Sequence, residues 1–362
     1  MLIIGCDFHP SGQQVFCLDS ESGEVVKEQW LKHEGDEVEV FYAGLPAGAE
    51  VGVETSGNML WFERKLAKFG HRLRIGDAAR ISALDQRKQK HDRRSAEHIA
   101  MLMANQLFPD LRWVPTLEER DQRQLLLHRH KLVRMRAQVM NQLQHIAMNQ
   151  GKQQKRKLWS REGRKLLESL VLEPWTARRR DDLLDLLDKF DAQCADLDRE
   201  VEKAAGANAQ ACLLRQHPGI GPVISLAYVL TLGDVSRFRH SRQVVSYLGL
   251  NPSEASSGER RKLGSISKQG NSFLRWLLVQ GAQSAAHKDA ELKRQYLRLA
   301  ARKNKSIAKL MVARKLAVRM FWMLKTQSGY SELLRMRGSS SHSVVAKTED
   351  LSERSASQQA QS

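Results

Sequence analysis

Three acids stand where a folded chain can bring carboxylates together. Asp7 follows the apolar run Leu2-Ile3-Ile4-Gly5-Cys6, Glu54 closes Val51-Gly52-Val53, and Asp92 opens a stretch that runs on helically through Ser95, Ile99 and Met103. Carboxylates converging from separate elements are what Mg²⁺ requires, because that ion takes hard oxygen ligands and keeps several of its waters. In two-metal sites the ions stand about 3.5–4 Å apart and steady both the attacking and the leaving oxygen of a displaced phosphate. Two of the acids also have simpler roles open to them: Asp92 could be a helix N-cap, and Glu54 a turn residue ahead of Ser56-Gly57. Asp7, an acid directly after an apolar strand, is harder to explain that way.

A second candidate is the polar loop 249–275, which carries Arg260, Arg261, Lys262 and Lys268 and ends at Arg275. Its small residues Ala255, Ser256, Ser257 and Gly258 let backbone and hydroxyl approach a bulky phosphodiester, while the cations neutralise its charge without reading a sequence. That suits a nucleophilic serine, but a serine hydroxyl needs a base, a metal or a stabilised leaving charge. No histidine lies between His240 and His287, and the nearby carboxylates are Glu254 and Glu259. Activation would therefore come from elsewhere in the chain or from another subunit. The plainer reading is a basic surface loop that holds phosphate.

The elements that must position these residues follow from pattern. Leu2 to Phe8, Gln14 to Leu18 and Glu24 to Leu31 read as strands of an antiparallel meander, separated by Pro10-Ser11-Gly12 and Ser20-Glu21-Ser22-Gly23. Val51 to Glu54 reads as a buried strand, Asn58 to Phe69 as an amphipathic helix and Arg72 to Ile75 as another strand. Three strands followed by alternating strand and helix is the order of an α/β, RNase H-like domain over residues 1–115.

From Thr116 the composition shifts to long charged helices, expected over residues 116–205. Leu132, Val133, Val139, Met140, Leu143, Ile146 and Ala147 share one helical face, with His128, Arg129, His130, Arg134 and Arg136 mostly off it, the histidines solvated and the basic positions free for nucleic acid. Leu183, Leu187, Phe190, Cys194, Leu197, Val201 and Ala204 step by fours and threes, a coiled-coil pattern. This second helix could pack on the first or on its twin in another subunit. In residues 206–330, a mostly α-helical region, Pro218-Gly219-Ile220-Gly221-Pro222 between two helices resembles a helix-hairpin-helix, whose Gly219 and Gly221 amides could hold a DNA phosphate. Alternatively it is only a tight turn. Phe273 to Ala286 is a core helix, and Ser306 to Lys325 is amphipathic, with Lys309, Arg314, Lys315 and Arg319 on a solvated or DNA-facing edge. Residues 331–362 read as a tail, disordered from Gly338.

Charge names the partner class. The 362 residues carry a formal net charge of +17, yet residues 1–70 balance at −7 and the tail at zero, so 71–330 hold +24. A polyanion such as nucleic acid belongs with the middle and C-terminal parts. Cys6, Cys17, Cys194 and Cys212 have no spacing of a zinc cage or redox motif and read as buried thiols in a reducing cytoplasm. No apolar run approaches the ~20 residues of a membrane span, and Leu2-Ile3-Ile4 has neither the basic flank nor the cleavage site of a signal peptide.

Together these residues resemble one family. Asp7 after its strand, Glu54-Thr-Ser-Gly, Lys90-His-Asp92 with Ala96, Arg112-Trp113-Val114-Pro115, Pro218 to Pro222, and Ser257-Gly258 followed by Ile266-Ser-Lys-Gln-Gly270 stand in the order of the DEDD transposases of bacterial insertion sequences, the RNA-guided bridge recombinases. The similarity runs from residue 1 to about 330. It implies a RuvC-like nuclease domain, a coiled-coil arm, and a C-terminal transposase domain whose serine attacks DNA to form a covalent phosphoserine. Asp7, Glu54 and Asp92 would be metal ligands for Mg²⁺, and Ser257 the nucleophile. Implied partners are donor and target DNA, a structured noncoding RNA pairing with both, and further copies of the chain in a dimer or tetramer, in which one subunit's nuclease domain is completed by another's serine domain. The setting would be the cytoplasm, at the nucleoid. The family's fourth acid falls at Ser95, where a hydroxyl adds no charge; Glu97, five residues from Asp92, points well away on a helix. The same residues suit two other functions: a junction-resolving endonuclease that cuts by metal-activated water, and a nucleic-acid-binding protein whose nuclease site has decayed.

Overall fold

The computed structural model describes residues 1–57, 59–85, 91–111, 113–152, 157–254 and 263–336, and the chain divides into two compact units, Met1–Val114 and Pro115–Ser362. In the first unit β1 (Leu2–Phe8), β2 (Gly12–Asp19) and β3 (Val25–Lys32) form the meander, followed by α1 (Glu37–Ala43), β4 (Glu50–Glu54), α2 (Leu60–Lys68), β5 (Arg72–Gly76), α3 (Ala78–Leu84) and α4 (Asp92–Ala104). The short helices α1 and α3 go beyond the sequence expectation.

The five strands form one mixed sheet in the order β3-β2-β1-β4-β5. Antiparallel pairing joins β1, β2 and β3, while β4 runs parallel to β1 and β5 parallel to β4. Alternation along β1 sends Ile4 and Cys6 into a core with Val38, Phe41 and Tyr42 of α1 and Phe62 and Leu66 of α2. Ile3 faces the other way, to Ile99, Leu102 and Met103 of α4 and Ile81 of α3. Helices therefore cover both faces, which is why the central strands are apolar throughout.

The second unit starts with α5 (Leu117–Asn149), opened by a capping box in which Thr116 and Glu119 satisfy each other's backbone N–H groups. It continues through α6 (Arg161–Glu168) and α7 (Pro174–Ala207), then α8 (Ala209–Arg215), α9 (Pro222–Leu232) and α10 (Ser241–Tyr247). A short antiparallel hairpin of β6 (Pro252–Glu254) and β7 (Leu263–Ile266) precedes α11 (Ser272–Lys288), α12 (Ala290–Arg302) and α13 (Lys305–Thr326). That hairpin is strand structure inside a stretch expected to be loop.

The alternatives left open for α7 resolve within the chain. It lies antiparallel on α5: Arg129 pairs with Asp198 at 2.5 Å, Arg136 with Asp191 at 3.1 Å, and Arg179 donates to Gln142 at 2.9 Å, partners running in opposite directions along the two helices. Leu183, Leu184 and Leu187 are buried with Val139, Leu143 and Ile146. Farther along, Val201 and Ala205 join Leu126 in the core formed by α8 to α13. Of the four cysteines, Cys6, Cys17 and Cys194 are buried, but Cys212 on α8 is exposed. No described helix is long and apolar enough to cross a membrane.

Candidate functional site

The acid centre of the first unit is assembled by the packing of α4 on β1. The buried stripe Ala96, Ile99, Ala100 and Met103 seats the helix on the sheet, and each large side chain so buried contributes roughly 1.5–3 kcal/mol. At Gly5 the approach is so close that a Cβ would stand 2.0 Å from the Ala96 carbonyl oxygen and 2.5 Å from the Ala100 nitrogen. This contact brings the helix's first turn to the end of β1.

Asp7, His9 and Asp92 meet there, each offering a ligand atom within 4.8 Å of the others. His9 Nε2 stands 3.4 Å from Asp7 Oδ2 and 3.7 Å from Asp92 Oδ1. That nitrogen is enclosed, although the His9 side chain as a whole is 38% exposed. Burial pushes the Asp7 carboxyl above its ordinary range; His9 opposes that shift, Asp92 adds to it, and a hydrogen bond from Ser95 holds it back. Asp92 is not the N-cap: His91 occupies that position, and Asp92 is the first helical residue. Ser95, one turn on, has two acceptors for its one hydroxyl proton, the His91 carbonyl oxygen at 3.4 Å and the Asp7 carboxylate. Glu54 is exposed at the end of β4 and lies outside the cluster, although the pairing of Cys6 with Val53 puts it one step along from Asp7's neighbour. His9 is the residue that sequence reasoning missed. Its signal was the spacing Asp7-Phe8-His9, since alternate residues of an extended chain share a face.

In the second unit, Ser257, Arg260, Arg261 and Lys262 lie outside the described residues, as do Lys90 and Arg112 of the quoted motifs and the tail from 337. What the structure shows is the frame on either side. Glu254 pairs with Leu263 and Pro252 with Ile266, and Ser253 Oγ donates to the Ser265 carbonyl oxygen at 2.9 Å. The base of the hairpin is clamped: a Cβ at Gly249 would stand 2.1 Å from the Gln269 carbonyl oxygen, and one at Gly270 2.1 Å from that of Tyr247. Arg275 serves this clamp. Its guanidinium donates to the carbonyl oxygens of Leu248 (3.0 Å), Gln269 (2.7 Å) and Lys268 (2.9 Å), so these donors are turned onto the protein's own backbone. Lys268 remains exposed.

Pro218 to Pro222 does join two helices, α8 and α9. Gly219, at φ +88°, is pressed against α11, where a Cβ would come within 2.5 Å of the Ala285 nitrogen. Close packing and backbone sign thus account for Gly219, whereas the Cβ direction at Gly221, the N-cap of α9, is open. His130 is half-buried: its ring lies tilted against Phe273 and Trp276, with centroids at 4.8 and 4.7 Å, and burial, with Arg134 and Arg129 nearby, lowers its pKa.

Arg319 corrects the expectation of a solvated or DNA-facing edge on α13, for it is 1% exposed. Nη1 donates to Asp289 at 3.2 Å and to the Tyr330 hydroxyl at 3.0 Å, and approaches His217 Nε2 at 3.4 Å, while Nη2 pairs with Glu291. His217 Nδ1 in turn donates to the Pro218 carbonyl oxygen at 2.9 Å, so this network ties the α8–α9 turn to α12 and α13. Burial, then the charge of Arg319, lowers the His217 pKa to about 4.

Residues 211–297, from α8 into α12, match the model of the IS116/IS110/IS902 transposase family. The chain is 29% identical to a probable family 20 transposase of Pseudomonas aeruginosa over 293 residues, 78% of this chain and 83% of that one. It is 31% identical to the transposase for insertion sequence element IS1111A of Coxiella burnetii over 55% of each. To the transposase for insertion sequence element IS1328 of Yersinia enterocolitica it is 24% identical across 90% of this chain and 97% of that one. With the family match lying on the core that carries the hairpin, and the relatives reaching beyond it, the chain is a DNA transposase related to those of insertion sequences.

Proposed function

We propose that this transposase moves an insertion sequence by metal-dependent cleavage and exchange of DNA strands through a covalent phosphoserine, guided by a structured noncoding RNA. The observation that carries the reading is the meeting of Asp7 and Asp92 from separate elements beside Ser95, on a sheet ordered β3-β2-β1-β4-β5. That order, three antiparallel strands with two parallel ones added, supports an RNase H-like, RuvC-like first unit.

Two carboxylates in reach of one point, with Glu54 nearby in the register, are hard oxygen donors that fit Mg²⁺. Bound there, the ion would offset charge on the phosphate and on the leaving oxygen. Asp7 and Asp92 would hold it, with Ser95 steadying Asp7 by its hydroxyl. Ser257 is the proposed nucleophile: its Oγ gives up its proton and forms the new bond to phosphorus as a bridging P–O bond breaks, and the leaving oxygen takes up a proton to become the hydroxyl of the released strand end. The clamp at Gly249, Gly270 and Arg275 holds the strands that bracket this residue, and Lys268 with Arg260, Arg261 and Lys262 supplies charge for the backbone. Gly221 is the hairpin position with room for a phosphate. The +24 charge of residues 71–330 suits DNA and RNA together.

The test is a trap for the covalent intermediate. With Mg²⁺ and element-end DNA, wild type should give a denaturation-resistant protein–DNA adduct that Ser257→Ala abolishes. Cutting that survives Ser257→Ala would instead establish a nuclease acting through water. Sequencing the RNA that copurifies should return one discrete structured species; degraded bulk RNA would remove the guided mechanism.

A further inference from the structure

The donor set at the end of β1 differs from an all-oxygen site in one respect, the imidazole of His9. We propose that His9 is a direct nitrogen ligand at the Asp7–Asp92 centre, which makes the site one for a divalent transition ion of the Mn²⁺ type in preference to Mg²⁺. The proposal rests on the reading of the first unit as a metal-dependent nuclease and names the ion class it takes.

Three features support it. His9 Nε2 is itself enclosed, although the side chain as a whole is 38% exposed, and its contacts to the two acids are longer than a usual hydrogen bond. It is turned toward both carboxylates, at 3.4 and 3.7 Å. Adjacent ligands about 2.1 Å from an octahedral ion stand roughly 3 Å apart; the three ligand atoms lie within 4.8 Å of one another, so the groups would close in on the ion as it binds. Two of the groups repel each other without a cation, and the hydroxyl at Ser95 adds no fourth charge. An imidazole supplies the missing donor, and it suits Mn²⁺, Fe²⁺ or Zn²⁺, whereas Mg²⁺ keeps to oxygen.

The experiment reads the ion directly. The full-length protein loaded with Mn²⁺ is examined by pulsed electron paramagnetic resonance for coupling to a directly bound ¹⁴N, and Mn²⁺ and Mg²⁺ affinities are measured by titration calorimetry. Expected is a ¹⁴N coupling in wild type, retained in His91→Asn and lost in His9→Asn, with Mn²⁺ affinity falling by about tenfold or more in His9→Asn and Mg²⁺ affinity hardly changed. Mn²⁺ that binds wild type without nitrogen coupling, or a coupling removed by His91→Asn, overturns His9 as ligand and leaves the nuclease reading standing. Failure of wild type to bind either ion overturns both.

Discussion

Gly5 lies directly beneath Ala96, with only 2.0 Å between the site of a Cβ and the Ala96 carbonyl oxygen. The obstructing atoms are helix backbone, which cannot swing aside. Gly5→Ala should therefore lift α4 from β1 and destabilise the first unit by about 1–3 kcal/mol, the usual cost of overpacking. It should also move Asp92 and Ser95 away from Asp7. Thermal melting with and without divalent ion checks both effects: a lower melting temperature, and a smaller gain on adding the ion than wild type shows.

Ser95→Asp places a carboxylate beside Asp7 and one turn from Asp92. Without metal, like charges crowd one helical face at a modest cost; with metal, the added ligand should more than offset it. Mg²⁺ should raise the melting temperature of Ser95→Asp more than that of wild type, and half-maximal cleavage should need less Mg²⁺. An unchanged metal dependence would remove Ser95 from the site.

The seam of α7 is spent on α5, so charge there should act inside the chain. Leu187 is 7% exposed, and Leu187→Glu should unfold the arm at a cost of more than about 3 kcal/mol, seen as lost helical circular dichroism and faster amide exchange in α5 and α7. The proposed self-association would then use other residues, and Trp175, 87% exposed at the start of α7, is the large apolar side chain available there. Trp175→Glu should leave helicity intact and lower the mass measured by light scattering; an unchanged mass would exclude this end of the arm from the interface.

The pKa of His217, about 4 in the fold against an ordinary 6.5, makes stability fall on acidification. The folded chain takes up this proton later than the unfolded one, so the contribution is whole above pH 6.5 and is lost progressively down to about 4, a total of roughly 3 kcal/mol. Denaturant midpoints measured between pH 7 and 4.5 should decline less steeply in His217→Gln than in wild type. Parallel declines would assign the acid sensitivity to other groups.

Removing Arg319 strands buried charge. Asp289 is 8% exposed, and its carboxyl is held below the usual range because hydrogen bonds from Tyr330 and the Leu292 amide, with the Arg319 charge, outweigh the upward push of burial. Arg319→Met should cost about 3–5 kcal/mol. Arg319→Met combined with Asp289→Asn should recover part of it, as a double-mutant cycle of unfolding free energies would register.

The strands and long helices, the acids at strand and helix ends and the charge division were all decided by local sequence. Apolar alternation along β1 and the repeat along α7 specify which face is buried whatever the partner. What covers that face is another matter. The repeat of α7 suits a helix of the same chain or of another, and only the fold lays it antiparallel on α5, where Arg129 finds Asp198 and Arg136 finds Asp191. Arg319 read as surface because arginine usually is, yet it stands on the stripe of Val312, Leu316 and Met323; burial is tolerable because Asp289 and Glu291, thirty and twenty-eight positions away, meet its guanidinium. His9 could be linked to Asp7 by spacing alone, but its distance to Asp92 is set by the α4–β1 contact at Gly5. Local periodicity records what one element needs, whereas a site joining separate elements depends on packing distances that no local pattern carries.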